Sequence, residues 1–207
     1  MPLADVSPAA TTLVAVVLAG GQSRRFGADK LDADLGGGSL IDHALAGLPI
    51  DANLIIVGPP RALRRPARFI REDPAASGPA AAMIAGLNAA LESTPDAIVV
   101  LPGDAPAAGA AAMILLAALN ADQEASIMMA TDTAGREQPL QLALRPAAAA
   151  ALIAAAGEAR GAGQSARGLL GQLRPAPRTI TLAAAEHFDV DTVEDLHTWQ
   201  LRNADEA

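Results

Sequence analysis

The 207-residue chain reads as a single α/β domain: three layers, with a mostly parallel sheet covered by helices on both faces. Three observations predict this. The apolar runs Leu13–Ala19, Leu54–Val57 and Ala97–Leu101 lack polar alternation, as strands buried on both faces do. The runs stop abruptly at Gly20-Gly21, Gly58-Pro59-Pro60 and Pro102-Gly103-Asp104. Alanine-rich stretches of helical character lie between the strands. There is no internal repeat and no linker long enough to divide two domains.

The elements follow in order. Residues 1–12 hold Pro2 and Pro8 and little pattern, and are expected to form a tail, leaving 13–207 as the domain. Leu13–Ala19 is the first buried strand. Gly36-Gly37-Gly38 makes a turn, and Ser39 is placed to cap a helix through Ala46. Leu54–Val57 is the second strand, and Arg68–Arg71 a short edge-like one. Pro79 suits a first helical turn and opens a helix to about Leu91. Ala97–Leu101 is followed by a helix over Gly109–Leu119. Ser126–Ala130 and Leu140–Leu144 read as strands, joined by a connection that holds Gly135. Helices follow over Ala147–Ala156 and Ser165–Leu173, with a last strand at Thr179–Leu182. Thr192 is placed to cap a final helix with Val193, Leu196, Trp199 and Gln200 on one packed face.

Composition removes several function classes. Hydrophobic residues make up 51%, much of it alanine, so the core is expected to be small-residue and closely packed. Only Phe26, Phe69, Phe188 and Trp199 are aromatic, too few for a base-stacking platform. A net charge of −8 argues further against nucleic acid or an anionic membrane as partner. With no cysteine, disulfides, thiolate zinc sites and cysteine nucleophiles are excluded. Residues 1–12 lack a basic secretory start, and the apolar runs are too short to span a bilayer, so a cytoplasmic location is expected. His43, His187 and His197 lack metal-ligand spacing, Ser23 and Ser165 have no Ser-His-Asp context, and Met113, Met128 and Met129 read as core fillers.

The chemistry concentrates just after the first strand. Gly20, Gly21 and Gly27 alternate with Arg24, Arg25 and Lys30 within a dozen residues. Glycines let a backbone approach a ligand closely, and backbone N–H groups beside Arg and Lys suit phosphate oxygens. The segment is therefore a candidate triphosphate cradle. It is not a P-loop, because Lys30 follows Asp29 and precedes Leu31, and the glycines do not fit G-x-G-x-x-G. Ligands of open α/β sheets sit beyond the carboxyl ends of the strands, where Gly20, Gly58 and Asp104 all lie. Asp104 leaves its strand through Pro-Gly and is the best metal-ligand candidate, because Mg²⁺ favours one or two carboxylates with phosphate oxygens and water. A glycine-flanked loop gives Lys30 and Arg25 little apolar surface to cover. They are expected to act on the ligand rather than on stability.

Leu18-Ala19-Gly20-Gly21-Gln22-Ser23-Arg24-Arg25-Phe26-Gly27-Ala28-Asp29-Lys30 resembles the signature Leu-Ala-Gly-Gly-x-Ser-x-Arg-Met-Gly-x-Asp-Lys of the molybdenum cofactor guanylyltransferases and their nucleotidyltransferase relatives. Weaker motifs follow in the family's order along roughly Leu13 to Leu201. Asp73 before Gly78-Pro79 resembles the acidic residue before the family's Gly-Pro-Leu-Ala-Gly, and Leu101-Pro102-Gly103-Asp104 its metal-binding strand end. Arg136-Glu137-Gln138-Pro139-Leu140 resembles a His/Gln-Pro-Leu segment towards the acceptor. Asp189-Val190-Asp191-Thr192-Val193-Glu194-Asp195-Leu196 resembles Asn-x-Asn-Thr-Pro-Glu-Glu-Leu.

The resemblance implies a Rossmann-like fold of the nucleotide-diphospho-sugar transferase type. It implies transfer of GMP from GTP to the phosphate of the molybdenum–molybdopterin cofactor, with Mg²⁺ and release of pyrophosphate. By the same resemblance Leu18, Ala19, Gly20, Gly21, Lys30, Asp73 and Asp104 belong to the nucleotide site, and Arg25, Lys30 and Asp104 serve catalysis. Asp104 binds metal, and Asp191 is either a second metal ligand or a helix cap. The chain departs from the family at Phe26 for Met, at Ala107 for an aromatic residue, at Asp189 and Asp191 for asparagines, and at Gly58-Pro59-Pro60, where the family has an asparagine for the base. Transfer of CMP to the same cofactor, of a nucleotide to a sugar phosphate or phospholactate, and an idle nucleotide sensor stand as alternatives. Homo-oligomerisation is left open.

Overall fold

A computed structural model describes residues 12–21, 26 and 29–204. The tail expected over 1–12 lies outside these residues except for Thr12, whose N–H donates to Asp96 Oδ2 at 2.7 Å. Seven strands form one sheet: β1 (Leu13–Leu18), β2 (Asn53–Val57), β3 (Arg68–Ile70), β4 (Ala97–Pro102), β5 (Ile127–Thr131), β6 (Glu137–Leu144) and β7 (Arg178–Thr181). Their order is β3-β2-β1-β4-β6-β5-β7. All neighbours pair in parallel except β6, which runs antiparallel between β4 and β5.

The helices are α1 (Leu40–Ala46), α2 (Pro79–Leu91), α3 (Ala108–Ala121), α4 (Pro146–Ala156), α5 (Ala166–Leu170) and α6 (Val193–Ala204). Alternate residues of β1 feed two cores, as the period of a strand requires. Ala15 and Val17 pack with α1, α3 and Leu196 of α6, while Val14 and Val16 pack with α2, α4 and α5. The expected small-residue packing is visible at Gly86, where a Cβ would stand 2.2 Å from Val16 Cγ1. Only glycine lets α2 lie this close to β1.

Three expectations are corrected. The strand expected to begin at Leu140 begins at Glu137, because a register shift beside Met129 and Ala130 carries Pro139 through the β5–β6 pairing. The helix expected over Ser165–Leu173 spans only Ala166–Leu170: Ser165 caps its start and Gly171 ends it. On α6, Leu196 is buried and Trp199 packs inward, its ring stacked 5.9 Å from that of Phe188, whereas Val193 is exposed. Among the described residues, no helix is long and apolar enough to cross a membrane.

Candidate active site

The carboxyl ends of β1, β2 and β4 meet at one point, and backbone bonds hold them there. Ala19 N–H donates to Val57 O, Gly103 N–H to Leu18 O, and Gly58 N–H to Ile70 O, each at 2.9 Å. Gly58 is required for this closure, since a Cβ there would stand 2.4 Å from Ala19 O. Leu18 is half-buried and Ala19 buried, so they anchor the turn, while Gly20 and Gly21 are exposed. A Cβ on Gly21 would meet nothing within 4 Å, and one on Gly20 only Val57 O at 3.7 Å. The space above these two glycines is open to a ligand.

Lys30 stands at the centre. It opens a 3₁₀ turn, Lys30–Asp32, whose first N–H groups need a cap. Asp29 supplies it, Oδ1 accepting from Leu31 N–H at 3.1 Å, and the buried Leu31 pins the turn to the core. Lys30 Nζ lies 2.7 Å from Asp104 Oδ2 and 2.8 Å from Asp191 Oδ1. Its side chain is 10% exposed, against 31% for Asp104 and 61% for Asp191. The carboxylates are thus the open side of the cluster and the ammonium its floor. Lys30 is a buried cation that pairs with both carboxylates, so its removal is expected to cost stability as well as ligand contact.

Burial pulls the Lys30 ammonium towards deprotonation. The hydrogen bonds and charges of Asp104 and Asp191 together outweigh burial and hold its pKa above the ordinary 10.5. A raised lysine pKa stabilises the fold fully at pH values below the ordinary one, and the contribution is lost as pH rises through the folded value. The stability advantage of the parent over Lys30→Met is therefore expected to be constant around neutrality and to shrink above about pH 10.5. Urea midpoints of both proteins across the alkaline range test this; an advantage unchanged at high pH contradicts the buried pair.

Asp191 reaches the cluster because Val190 is fully buried and its N–H donates to Asp104 O at 2.9 Å. This bond sets the segment before α6 beside the end of β4. Among the described residues, side chains other than that of Asp191 make the reciprocal bonds that cap α6. Asp195 Oδ2 accepts from Thr192 N–H at 2.8 Å, and Thr192 Oγ1 accepts from Asp195 N–H at 3.1 Å, a reciprocal capping box. Sequence reading found Thr192 but missed Asp195, although T-x-x-D is a form of that box. Burial raises the Asp195 pKa and its bonds to Thr192 and Asp191, with the Lys30 charge, lower it; the net shift is downward. Asp195→Ala is thus expected to lower stability by about 1 kcal/mol with turnover retained. Asp191→Ala is expected to lower turnover with α6 still capped. Thermal melts and initial rates on both variants separate the roles, and equal turnover in Asp191→Ala and the parent would remove Asp191 from the site.

Other expected residues lie elsewhere. Arg25, with Arg24, falls outside the described residues. Asp73 is exposed on the loop between β3 and α2. It lines a cleft of about 470 Å³ with Arg71, Ile84, Asn88 and Arg160. Nothing among the described residues bonds it to Lys30. Gln138 lies at the start of β6, the same end of the sheet as Asp104, in a polar cleft of about 530 Å³ with Arg136, Glu137 and Arg167. Met128 and Met129 are buried as expected, and His43 Nε2 contacts Gly36 O at 3.1 Å. Among the described residues, no three His, Cys, Asp or Glu side chains are grouped to hold a metal ion.

Residues 15–176 match the family model of the MobA-like NTP transferase domain. The chain belongs to this family. A molybdenum cofactor guanylyltransferase of Mesorhizobium japonicum is 34% identical over 134 residues, 61% of this chain and 64% of that protein. One from Shewanella frigidimarina is 32% identical over 146 residues, 68% of this chain and 72% of that protein. The matched stretch thus spans just under two thirds of the Mesorhizobium protein. Solved structures agree on the fold. Molybdopterin-guanine dinucleotide biosynthesis protein A of Archaeoglobus fulgidus superposes with a TM-score of 0.66 over 93% of this chain and 99% of its own, at 20% identity. A 2-C-methyl-D-erythritol 4-phosphate cytidylyltransferase of Thermus thermophilus gives 0.63 over 94% and 100%, at 18%. The fold is that of nucleotidyltransferases, and the MobA-like match includes β1 from Ala15 onward, Lys30, Asp73 and Asp104 but stops short of Asp191.

Proposed function

We propose that this protein transfers GMP from GTP to the phosphate of the molybdenum–molybdopterin cofactor and releases pyrophosphate. The observation that carries the reading is the convergence of Lys30, Asp104 and Asp191 beside the open Gly20-Gly21 turn. The names of the Mesorhizobium and Shewanella relatives support the guanylyl group and the acceptor.

The reaction needs no enzyme nucleophile. A phosphate oxygen of the acceptor attacks the α-phosphorus in line; the bond from that phosphorus to the β-phosphate bridge breaks, and pyrophosphate leaves. The protein's task is to hold both phosphates in register and to offset the charge that develops. Gly20 and Gly21 leave room for the nucleotide against the backbone. The Lys30 ammonium, positive at every physiological pH, donates to phosphate oxygens, and Arg25 assists it. Asp73 belongs to the nucleotide's other end. Asp104 and Asp191 fit a divalent cation of the Mg²⁺ type: they are the more exposed carboxylates of the cluster and would hold such a cation on their open side, with the Lys30 ammonium remaining beneath them. Bound there, such a cation supplies Lewis-acid stabilisation of the phosphoryl oxygens. We place residues 13–207 in one catalytic unit that acts in the cytoplasm.

A turnover screen of the four NTPs with the molybdenum–molybdopterin acceptor, read by pyrophosphate release, tests the reading. GTP is expected to be the preferred substrate. Preference for CTP would make the protein a cytidylyltransferase on the same scaffold, and nucleotide binding with no pyrophosphate from any NTP would make it a sensor.

A further inference from the structure

Arg61 follows β2 through Gly58-Pro59-Pro60 and takes no part in the family motifs described above. Its side chain is only 3% exposed, yet it ends on two carboxylates that open to solvent. Nη2 donates to Asp29 Oδ2 at 3.1 Å and Nη1 to Asp32 Oδ1 at 3.0 Å. These two aspartates bracket the 3₁₀ turn that begins at Lys30. Asp29 is gripped on both oxygens, since Oδ1 already accepts from Leu31 N–H. The guanidinium is thus a buried clamp beneath the turn, and the Lys30 ammonium leaves that turn for Asp104 and Asp191.

From this geometry we infer that Arg61 is a positioning residue for Lys30: it fixes the angle and depth at which the ammonium enters the phosphate site. The inference rests on the guanylyltransferase reading for its activity readout. Two features set the clamp apart from a device for stability. Among the described residues Arg61 Nε is buried with no hydrogen-bond partner, a cost to folding. An apolar side chain in such a place often serves stability as well as a buried ion does. The gain is directional. A planar fork holds two carboxylates at a fixed spacing, which a single ammonium does not. Displacing a catalytic group by about 1 Å costs up to about a hundredfold in rate.

The test is a double-mutant cycle on Arg61 and Lys30, with kcat and KM for GTP measured separately. Arg61→Met is expected to lower kcat/KM about 10- to 100-fold. In a Lys30→Met background it is expected to change kcat/KM by less than about twofold, because its effect passes through Lys30. Arg61→Lys is expected to stay near Arg61→Met. Equal fold-losses in both backgrounds, or an unchanged kcat/KM in Arg61→Met, overturn the inference. If Arg61→Met does not fold, Asp32→Ala, whose side chain is 57% exposed, carries the same cycle with a smaller loss that must also vanish without Lys30. If the parent shows no turnover, the guanylyltransferase reading fails by itself, and the cycle read by calorimetric GTP affinity decides for or against Arg61. No GTP binding by the parent overturns both.

Discussion

Asp104→Ala is expected to lose pyrophosphate release by at least about a thousandfold and still fold. A cation at a phosphoryl group supplies several kcal/mol of transition-state stabilisation, and each 1.36 kcal/mol is tenfold in rate. Asp104 is the more enclosed of the two carboxylates and lies two residues past the end of β4. The structural cost is smaller. Lys30 keeps Asp191 as a partner at 2.8 Å, so the buried ammonium is not stranded. A loss of roughly 1–2 kcal/mol, or a few degrees in Tm, is expected for one charged hydrogen bond. Near-normal pyrophosphate release in a folded Asp104→Ala protein would remove this residue from the mechanism.

Lys30→Met is expected to fail in two ways at once. A charge-assisted bond to phosphate is worth roughly 1.5–3 kcal/mol, so kcat/KM for GTP falls at least about tenfold. The same substitution leaves Asp104 and Asp191 facing each other with no cation between them, and the apo protein loses stability. Ligand-independent melting therefore drops in Lys30→Met, which a solvated loop lysine would not produce. Arg25→Ala is expected to lower kcat/KM similarly and Arg24→Ala less, since Arg25 aligns with the family's arginine. Unchanged GTP kinetics in Lys30→Met would reduce the cluster to a structural ion pair.

The strands and their order of chemistry were legible in the sequence because buried parallel strands are uninterrupted apolar runs. Val14 to Val17, Ile56 and Ile98 to Val100 are at most 1% exposed. The ends of elements were less legible where side chains act at a distance. The start of β6 at Glu137, ahead of the apolar run from Leu140, became visible only with the shifted β5–β6 register that accommodates Pro139. For the site, Lys30 and Asp104 were readable from their position after strand ends. Their pairing was not, because 74 residues separate them and it takes the parallel β1–β4 pairing, extended by the 2.9 Å bond from Gly103 to Leu18, to bring the two segments together. That Asp195, and not Asp191, closes the capping box with Thr192 was not legible, because either carboxylate could reach the first turn of α6. Arg61 left no local signal: an arginine after two prolines reads as surface, and its burial comes from Asp29 and Asp32, about thirty residues back.

The most direct test of the phosphate centre is a crystal structure of the protein with Mg²⁺ and a non-hydrolysable GTP analogue. The expected result is a phosphate oxygen within about 2.7–3.2 Å of Lys30 Nζ, the cation on Asp104, and the nucleoside side of the ligand against Gly20 and Gly21. A triphosphate bound elsewhere, with the Lys30–Asp104–Asp191 cluster undisturbed, would contradict it.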